Sequence, residues 1–312
     1  MRPVIINCDP GIDDSLAIML AVLSKRLKVV GITTTFGNAS VEHTTENALG
    51  IVEYLGADIP VAKGANGPIK GRRINANYVH GNNGLAGIRL PHRAKAVAES
   101  AEDFIIDRVK AGDVDTIIST APLTNIAKAF MKDARAMRRL KKLVIMGGTV
   151  TEPGSVTRVA EFNFFGDPYA AEYVLHTGVY KLMIPRDITQ RVIFKPSDFS
   201  KFAPGKRSEL AAKLIRFYQR FYMNVLDLDG NPLPDVLTVG IVIKPGLIKT
   251  KRMQMDVETG GDYTRGMSVV ERRSGEYQRK AVTNVDVAVS IKPDEFLDYF
   301  IRTISSRKTT YK

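Results

Sequence analysis

The stretch that most limits what this chain can fold into lies near its start. Val4-Ile5-Ile6-Asn7-Cys8 is a short, largely β-branched apolar run that stops at Asp9-Pro10-Gly11 and leads through Ile12-Asp13-Asp14 into residues 15–23, apolar on almost every side. The first run reads as a buried strand, Pro-Gly as a turn, and the second run as a helix sunk in the core of an α/β protein. Residues 27–35 are a second β-branched run. Strand, helix and strand at this spacing form a βαβ unit, which imposes parallel pairing and a right-handed crossover. Ligands in such sheets bind beyond the carboxyl ends of the strands. Asp9 falls at such an end, with Asp13 and Asp14 in the first turn of the helix. Carboxylates gathered at one corner raise one another's pKa or recruit a cation, while the helix N-terminus absorbs part of the charge. The plainer alternative makes Asp13 a helix cap, Asp14 a solvated side chain and Asp9 a turn residue. These residues alone leave both open.

The rest of the chain continues the alternation. Residues 42–55 form an amphipathic helix and 59–62 a short strand, followed by a Gly- and Asn-rich loop over 64–87 that carries His80. A loop of that length in a compact protein is functional or disordered, whereas a lone loop histidine is more often a surface residue. A helix is expected over 97–110, a strand over 114–119 and a strand over 143–148, then a mobile stretch over 149–158. Glu161 and Asn163, two apart in an extended segment, point the same way, so both can serve one ligand. A strand over 180–185 and a long helix over 208–226 follow, the latter placing Tyr218 and Tyr222 one turn apart; core packing is the simpler reading of that pair. Asp235 is expected to cap a buried helix. Strands over 253–257, 266–272 and 281–291 and a helix over 294–306 close the chain. The pattern predicts one domain, 1–312, built on an open, mostly parallel, doubly wound sheet with surrounding helices and a small antiparallel β extension near the C-terminus.

With 312 residues, 44% of them hydrophobic, the chain can bury a large core as one unit. The net charge of +12 comes from lysines and arginines scattered through the sequence, which argues against nucleic acid as a partner. No apolar window is long enough for a membrane span, and the chain enters a strand without a signal-peptide pattern. Cys8 is the single cysteine, so an intrachain disulfide is ruled out. These features together lead us to expect a cytoplasmic protein.

Several blocks taken together resemble the inosine-uridine nucleoside hydrolase family, the calcium-dependent nucleoside N-ribohydrolases. They are Asp9-Pro10-Gly11-Ile12-Asp13-Asp14, Gly37-Asn38, His80-Gly81, Thr120-Ala121-Pro122-Leu123-Thr124-Asn125, Ala160-Glu161-Phe162-Asn163 with Asp167-Pro168, and Asp235, and they span nearly the whole chain. The resemblance implies hydrolysis of the N-glycosidic bond of ribonucleosides, with Ca2+ held by Asp9, Asp14, the Thr120 carbonyl and Asp235, and with Asp9 as general base. An all-oxygen set suits calcium better than magnesium, and without His or Cys it does not suit zinc. It further implies that Asp13, Asn38, Glu161, Phe162, Asn163, Tyr218 and His80 contact the nucleoside, that His80 and Tyr222 assist the departing base, and that the protein is a homodimer or homotetramer. Three positions depart from the family pattern: Asn7 replaces an Asp, Ser155 an Asn, and Pro234 a His that helps the base leave. Purine-specific members use tryptophan stacking and this chain has no Trp, which favours pyrimidine or mixed nucleosides. A non-catalytic calcium-dependent nucleoside or sugar binding protein and a haloacid-dehalogenase-like phosphohydrolase are the alternatives.

Overall fold

The computed structural model describes residues 1–306. Strand β1 (Arg2–Cys8), helix α1 (Ile12–Leu23) and strand β2 (Leu27–Thr34) form the expected unit, with β1 and β2 parallel and Cys8 level with Thr34. All twelve residues of α1 are buried. It packs against the helices Lys206–Asn224, Pro234–Ile243 and Pro293–Ile304 on one face of the sheet. The other face is covered by Ala101–Ala111, Thr124–Lys132 and Pro168–Leu175, through Phe104, Ile126 and Ala170. A core so closely filled makes truncation costly; Leu16→Ala would lose about 2–5 kcal/mol.

Strands β3 (Val61–Lys63), β4 (Thr116–Ser119), β5 (Lys142–Met146) and β6 (Lys181–Ile184) complete the parallel part. Among the described residues the main sheet has eight strands in the order β3-β2-β1-β4-β5-β6, then Val285–Ile291, then Ile248–Met253, and only the last pairing is antiparallel. The order reverses between β1 and β4, which opens a crevice at their carboxyl ends. A separate antiparallel hairpin joins Met255–Val257 to Ser268–Val270. No helix among the described residues is long and apolar enough to cross a membrane.

The structure corrects several local expectations. The helix expected from residue 97 starts at Ala101, because Ser100 Oγ accepts the Asp103 N–H at 3.3 Å as an N-cap, while Val97 bridges to Ala62 at the sheet edge. The extended segment expected over 161–163 ends at Glu161, which caps a short helix, Phe162–Gly166. Asp235 is not a cap either. Pro234, with φ preset for a first helical position, starts the helix Pro234–Ile243 after Leu233, which moves Asp235 into its first turn. The stretch over 149–158, expected to be mobile, is pinned at its start by Asp187, whose carboxylate accepts from the N–H groups of Val150, Thr151 and Glu152 and from the Thr149 and Thr151 hydroxyls.

Candidate active site

The ends of β1, β2 and β4 build the floor of a cavity of about 170 Å³. Asn7, still within β1, is fully buried and faces away from this cavity into a closed network. Its amide donates to Ser119 Oγ at 3.0 Å and accepts from Thr33 Oγ1 at 3.0 Å and Asn125 Nδ2 at 2.9 Å. An amide, with a donor and an acceptor end, thus ties together β1, β2, β4 and the helix Thr124–Lys132.

Asp9 follows at the strand end. Its Oδ2 accepts the Asn38 N–H at 2.7 Å, and its Oδ1 is buried without a hydrogen-bond partner. Gly37 makes this approach possible, since a Cβ there would collide with Asp9 Oδ2. Asp14 Oδ2 accepts from the Gly11 N–H at 3.2 Å and Asn38 Nδ2 at 2.8 Å, and its Oδ1 accepts the Thr120 hydroxyl at 2.8 Å. Asp13 Oδ2 accepts the Tyr218 hydroxyl at 3.3 Å, and its Oδ1 is a second buried oxygen without a partner. Neither plain reading from the sequence holds: Asp13 does not cap α1, whose N-cap is Gly11, and Asp14 is buried.

Carboxylate oxygens of Asp13, Asp14 and Asp235 lie within 4.8 Å of one another. Asp9 borders this triplet. Burial pushes the pKa of all four upward: that of Asp13 to about 7, with Asp14 adding repulsion, and that of Asp235 well above the usual carboxylate value, with Asp13 and Asp14 adding to it. Buried negative groups of this kind need a compensating charge. Two orphaned oxygens and an oxygen-only donor set suit a hard divalent cation, so the residues fit a metal. The Thr120 carbonyl sits at the same floor and accepts Asn163 Nδ2 at 2.9 Å, using one of its two lone pairs.

On one wall, Glu161 Oε2 accepts the N–H groups of Gly148, Asn163 and Phe164 at 3.0, 2.9 and 3.3 Å, and burial lifts its carboxyl to about 7. Asn163 turns its amide nitrogen to the carbonyls of Thr120 and Met146, at 2.9 and 3.1 Å. Phe162 lines the cavity beside them, its N–H held by Ser155 Oγ at 3.0 Å. Asp167, from the same sequence block, is structural: it caps the helix Pro168–Leu175 and accepts the Thr124 hydroxyl at 2.6 Å.

The opposite wall is aromatic. His80 is not a surface residue; it ends the one-turn helix Asn77–His80 and is buried. Its Nδ1 accepts the Ile12 N–H at 3.1 Å, which puts the ring proton on Nε2, and burial holds its pKa down at about 3. Gly11 leaves room for that ring, because a Cβ would stand 2.6 Å from Nδ1. The ring packs against Tyr218, centroids 5.2 Å apart, and the Tyr218 and Tyr222 hydroxyls are 3.1 Å from each other. Burial raises both phenols. These tyrosines therefore line a site instead of only filling a core. Pro234 also faces the cavity.

Every proposed nucleoside contact lines this cavity, as do Thr120, Tyr222 and Asp235, while Asp9 and Asp14 lie just beneath. Sequence reasoning missed Arg186, Gln190, Tyr78, Phe221 and Leu226, which also line it. The one available signal was positional: Arg186 follows Pro185 at the carboxyl end of β6.

The sequence matches the family model for inosine-uridine preferring nucleoside hydrolase over residues 4–298. It is 34% identical to uridine nucleosidase 1 of Arabidopsis thaliana over 95% of this chain and 91% of that one. It is 35% identical to the pyrimidine-specific ribonucleoside hydrolase RihA of Escherichia coli O9:H4, over 95% and 96% of the two chains. The fold superimposes on the purine-preferring ribonucleoside hydrolase from Gardnerella vaginalis with a TM-score of 0.89 and 32% identity, covering 97% of this chain and 98% of that one. This agreement sets aside the phosphohydrolase alternative. The chain belongs to the inosine-uridine preferring nucleoside hydrolase family.

Proposed function

We propose that this chain hydrolyses the N-glycosidic bond of ribonucleosides, releasing ribose and the free base, with Asp9 as general base and Ca2+ as the metal. The observation that carries this reading is the buried carboxylate nest with two orphaned oxygens, on Asp9 and Asp13, at the floor of a cavity with one polar and one aromatic wall. Asp9, Asp14, Asp235 and the Thr120 carbonyl would hold the ion. Bound there, calcium would supply the Lewis acidity that lowers the pKa of a water and a positive charge for the vicinal hydroxyls of the ribose.

The residues divide the remaining work. Asp9 Oδ1, free of other partners, receives the proton of the attacking water. Glu161 and Asn163 hold sugar hydroxyls, and the buried carboxylates stabilise the positive charge that grows on the ribose ring as the bond breaks. His80, neutral and with its proton on Nε2, donates a hydrogen bond on the base side, as does the Tyr222 hydroxyl, while that of Tyr218 is held by Asp13. Pyrimidine or mixed specificity is the reading we favour, supported by the absence of Trp and by relatives named as uridine nucleosidase and as a pyrimidine-specific hydrolase.

A reducing-sugar assay tests the proposal. Free ribose should appear from uridine, vanish with chelation, return with calcium, and be lost in Asp9→Ala. Tight nucleoside binding without ribose release would instead identify a binding protein.

A further inference from the structure

Arg186 is the only lysine or arginine among the described residues that line the cavity. It begins the short helix Arg186–Thr189 directly after β6 and Pro185. Its backbone N–H is held by the Gly148 carbonyl at 3.0 Å, and its Nε donates to the Pro153 carbonyl at 3.0 Å. These anchors fix the side chain against the segment that carries Gly154 and Ser155. The two terminal nitrogens make no hydrogen bond or ion pair among the described residues. A guanidinium held by one edge thus keeps its outer N–H groups free beside a cavity, and its charge acts on both the Glu161 carboxylate and the Tyr222 hydroxyl.

The cavity is therefore dipolar, with carboxylates on its floor and a fixed cation on its wall. Heterolysis of an N-glycosidic bond separates charge in the same sense, positive on the sugar and negative on the base. The groups assigned to the base side above, the His80 Nε2 proton and the Tyr222 hydroxyl, offer hydrogen bonds but no positive charge. Pro234 has no proton to give, and Nδ1 of His80 is committed to the Ile12 N–H. An arginine does not give up its proton in a protein, so its contribution is electrostatic, with two N–H groups in a planar fork.

Resting on the hydrolase reading above, we propose that Arg186 contacts the leaving base and selects nucleosides of oxo bases, such as uridine and inosine, over adenosine. A carbonyl oxygen offers the fork an acceptor, and in a 6-oxopurine the neighbouring N7 offers a second; adenine presents an amino donor in place of the oxygen. In the step itself the C1′–N bond breaks and both electrons stay with the base. The hydroxyl of water joins C1′, its proton goes to Asp9, and Arg186 keeps its own protons. Asp9 then returns its proton to solvent and the base anion takes one from solvent, so the balance is nucleoside plus water to ribose plus base.

The test compares wild type, Arg186→Leu and Arg186→Lys on uridine, inosine, adenosine and 4-nitrophenyl β-D-ribofuranoside, whose leaving group needs no stabilisation. Wild type should prefer inosine to adenosine. Arg186→Leu should lose about 10²- to 10³-fold in kcat/KM on uridine and inosine, as for removal of one preorganised donor, and keep its rate on the nitrophenyl riboside within a few-fold. Arg186→Lys, which loses the Pro153 tether and keeps the charge, should fall between the two. Equal losses on nucleosides and nitrophenyl riboside, no loss on either, or adenosine turned over as fast as inosine would each overturn the role. Wild-type activity on the nitrophenyl riboside alone would overturn it and leave the hydrolase chemistry standing. Release of ribose from none of the four would sink the hydrolase reading and this inference with it.

Discussion

Asn38 grips Asp9 at two points, its backbone N–H on Oδ2 at 2.7 Å and its side-chain amide on the Asp9 carbonyl at 3.2 Å. The same amide nitrogen reaches Asp14 Oδ2 at 2.8 Å. The loop after β2 thereby fixes which oxygen of Asp9 is left over for chemistry. Asn38→Ala removes the side-chain contacts and keeps the backbone one. It should lower metal affinity and kcat/KM by about 10- to 100-fold, the range for lost outer-shell support, with little change in thermal stability. Calcium titration followed by kinetics on uridine checks it; an unchanged calcium affinity would show that the amide orients nothing.

Asn7 should matter for folding more than for turnover. Asn7→Leu strands the Thr33 hydroxyl and one N–H of the Asn125 amide, whose nitrogen still donates to the Thr34 carbonyl, and each unsatisfied group costs about 1–3 kcal/mol. Asn7→Asp keeps both of those acceptor contacts and lets the Ser119 hydroxyl turn to donate, so it should be the milder change. Urea unfolding midpoints rank the two, and the opposite order would refute the network account.

The carboxylate nest couples metal to pH. Without metal, burial holds the Asp13 carboxyl near 7 and raises Asp9, Asp14 and Asp235 as well. The folded metal-free chain then binds more protons than the unfolded chain between about pH 4 and 7, so its stability falls as pH rises through that window. A cation must displace those protons, and the rise in Tm on adding calcium should be larger at pH 7.5 than at pH 5. Melting curves with calcium and with chelator at both pH values decide it; an equal or reversed shift would mean the carboxylates are not the ion's ligands.

His80 gives the opposite slope. Its pKa is depressed to about 3 by burial, whereas in an unfolded chain it is about 6.5. Between those values the unfolded state binds the extra proton, so this residue's contribution is fully present above about 6.5 and is lost as pH falls towards 3. Its ring proton resonances should stay flat from pH 8 to 5. His92, where partial desolvation is outweighed by the bond to the Ala94 carbonyl and by Glu46, should titrate above the ordinary histidine value. A His80 resonance moving near pH 6.5 would contradict the buried, neutral ring.

The sheet was readable because its parallel strands are buried on both faces, and β1, β2, β5 and β6 appear in the chain as apolar runs. The floor of the site was readable only in combination: Asp9, Asp13 and Asp14 next to buried runs left cap and turn roles open, and the family resemblance of the blocks around them decided for a cation site. Two local geometries were not. Whether Glu161 extends or caps depends on N–H groups of Gly148 and Phe164 that only the fold brings near, and Pro234 starts its helix one residue before Asp235. Arg186 went unnoticed because a lone arginine after a strand reads like any solvated side chain in a chain of net charge +12. Its tether to Pro153 spans 33 residues, a relation that local pattern does not encode.

Helix α1, dry along its whole length, carries Asp13 and Asp14 at its first turn. The acidic floor is thus not a graft on a pliant rim but one end of the innermost beam of the molecule, and it has no separate looseness to lose. Heating should leave turnover intact until the beam itself gives way, so inactivation and global melting should trace a single curve.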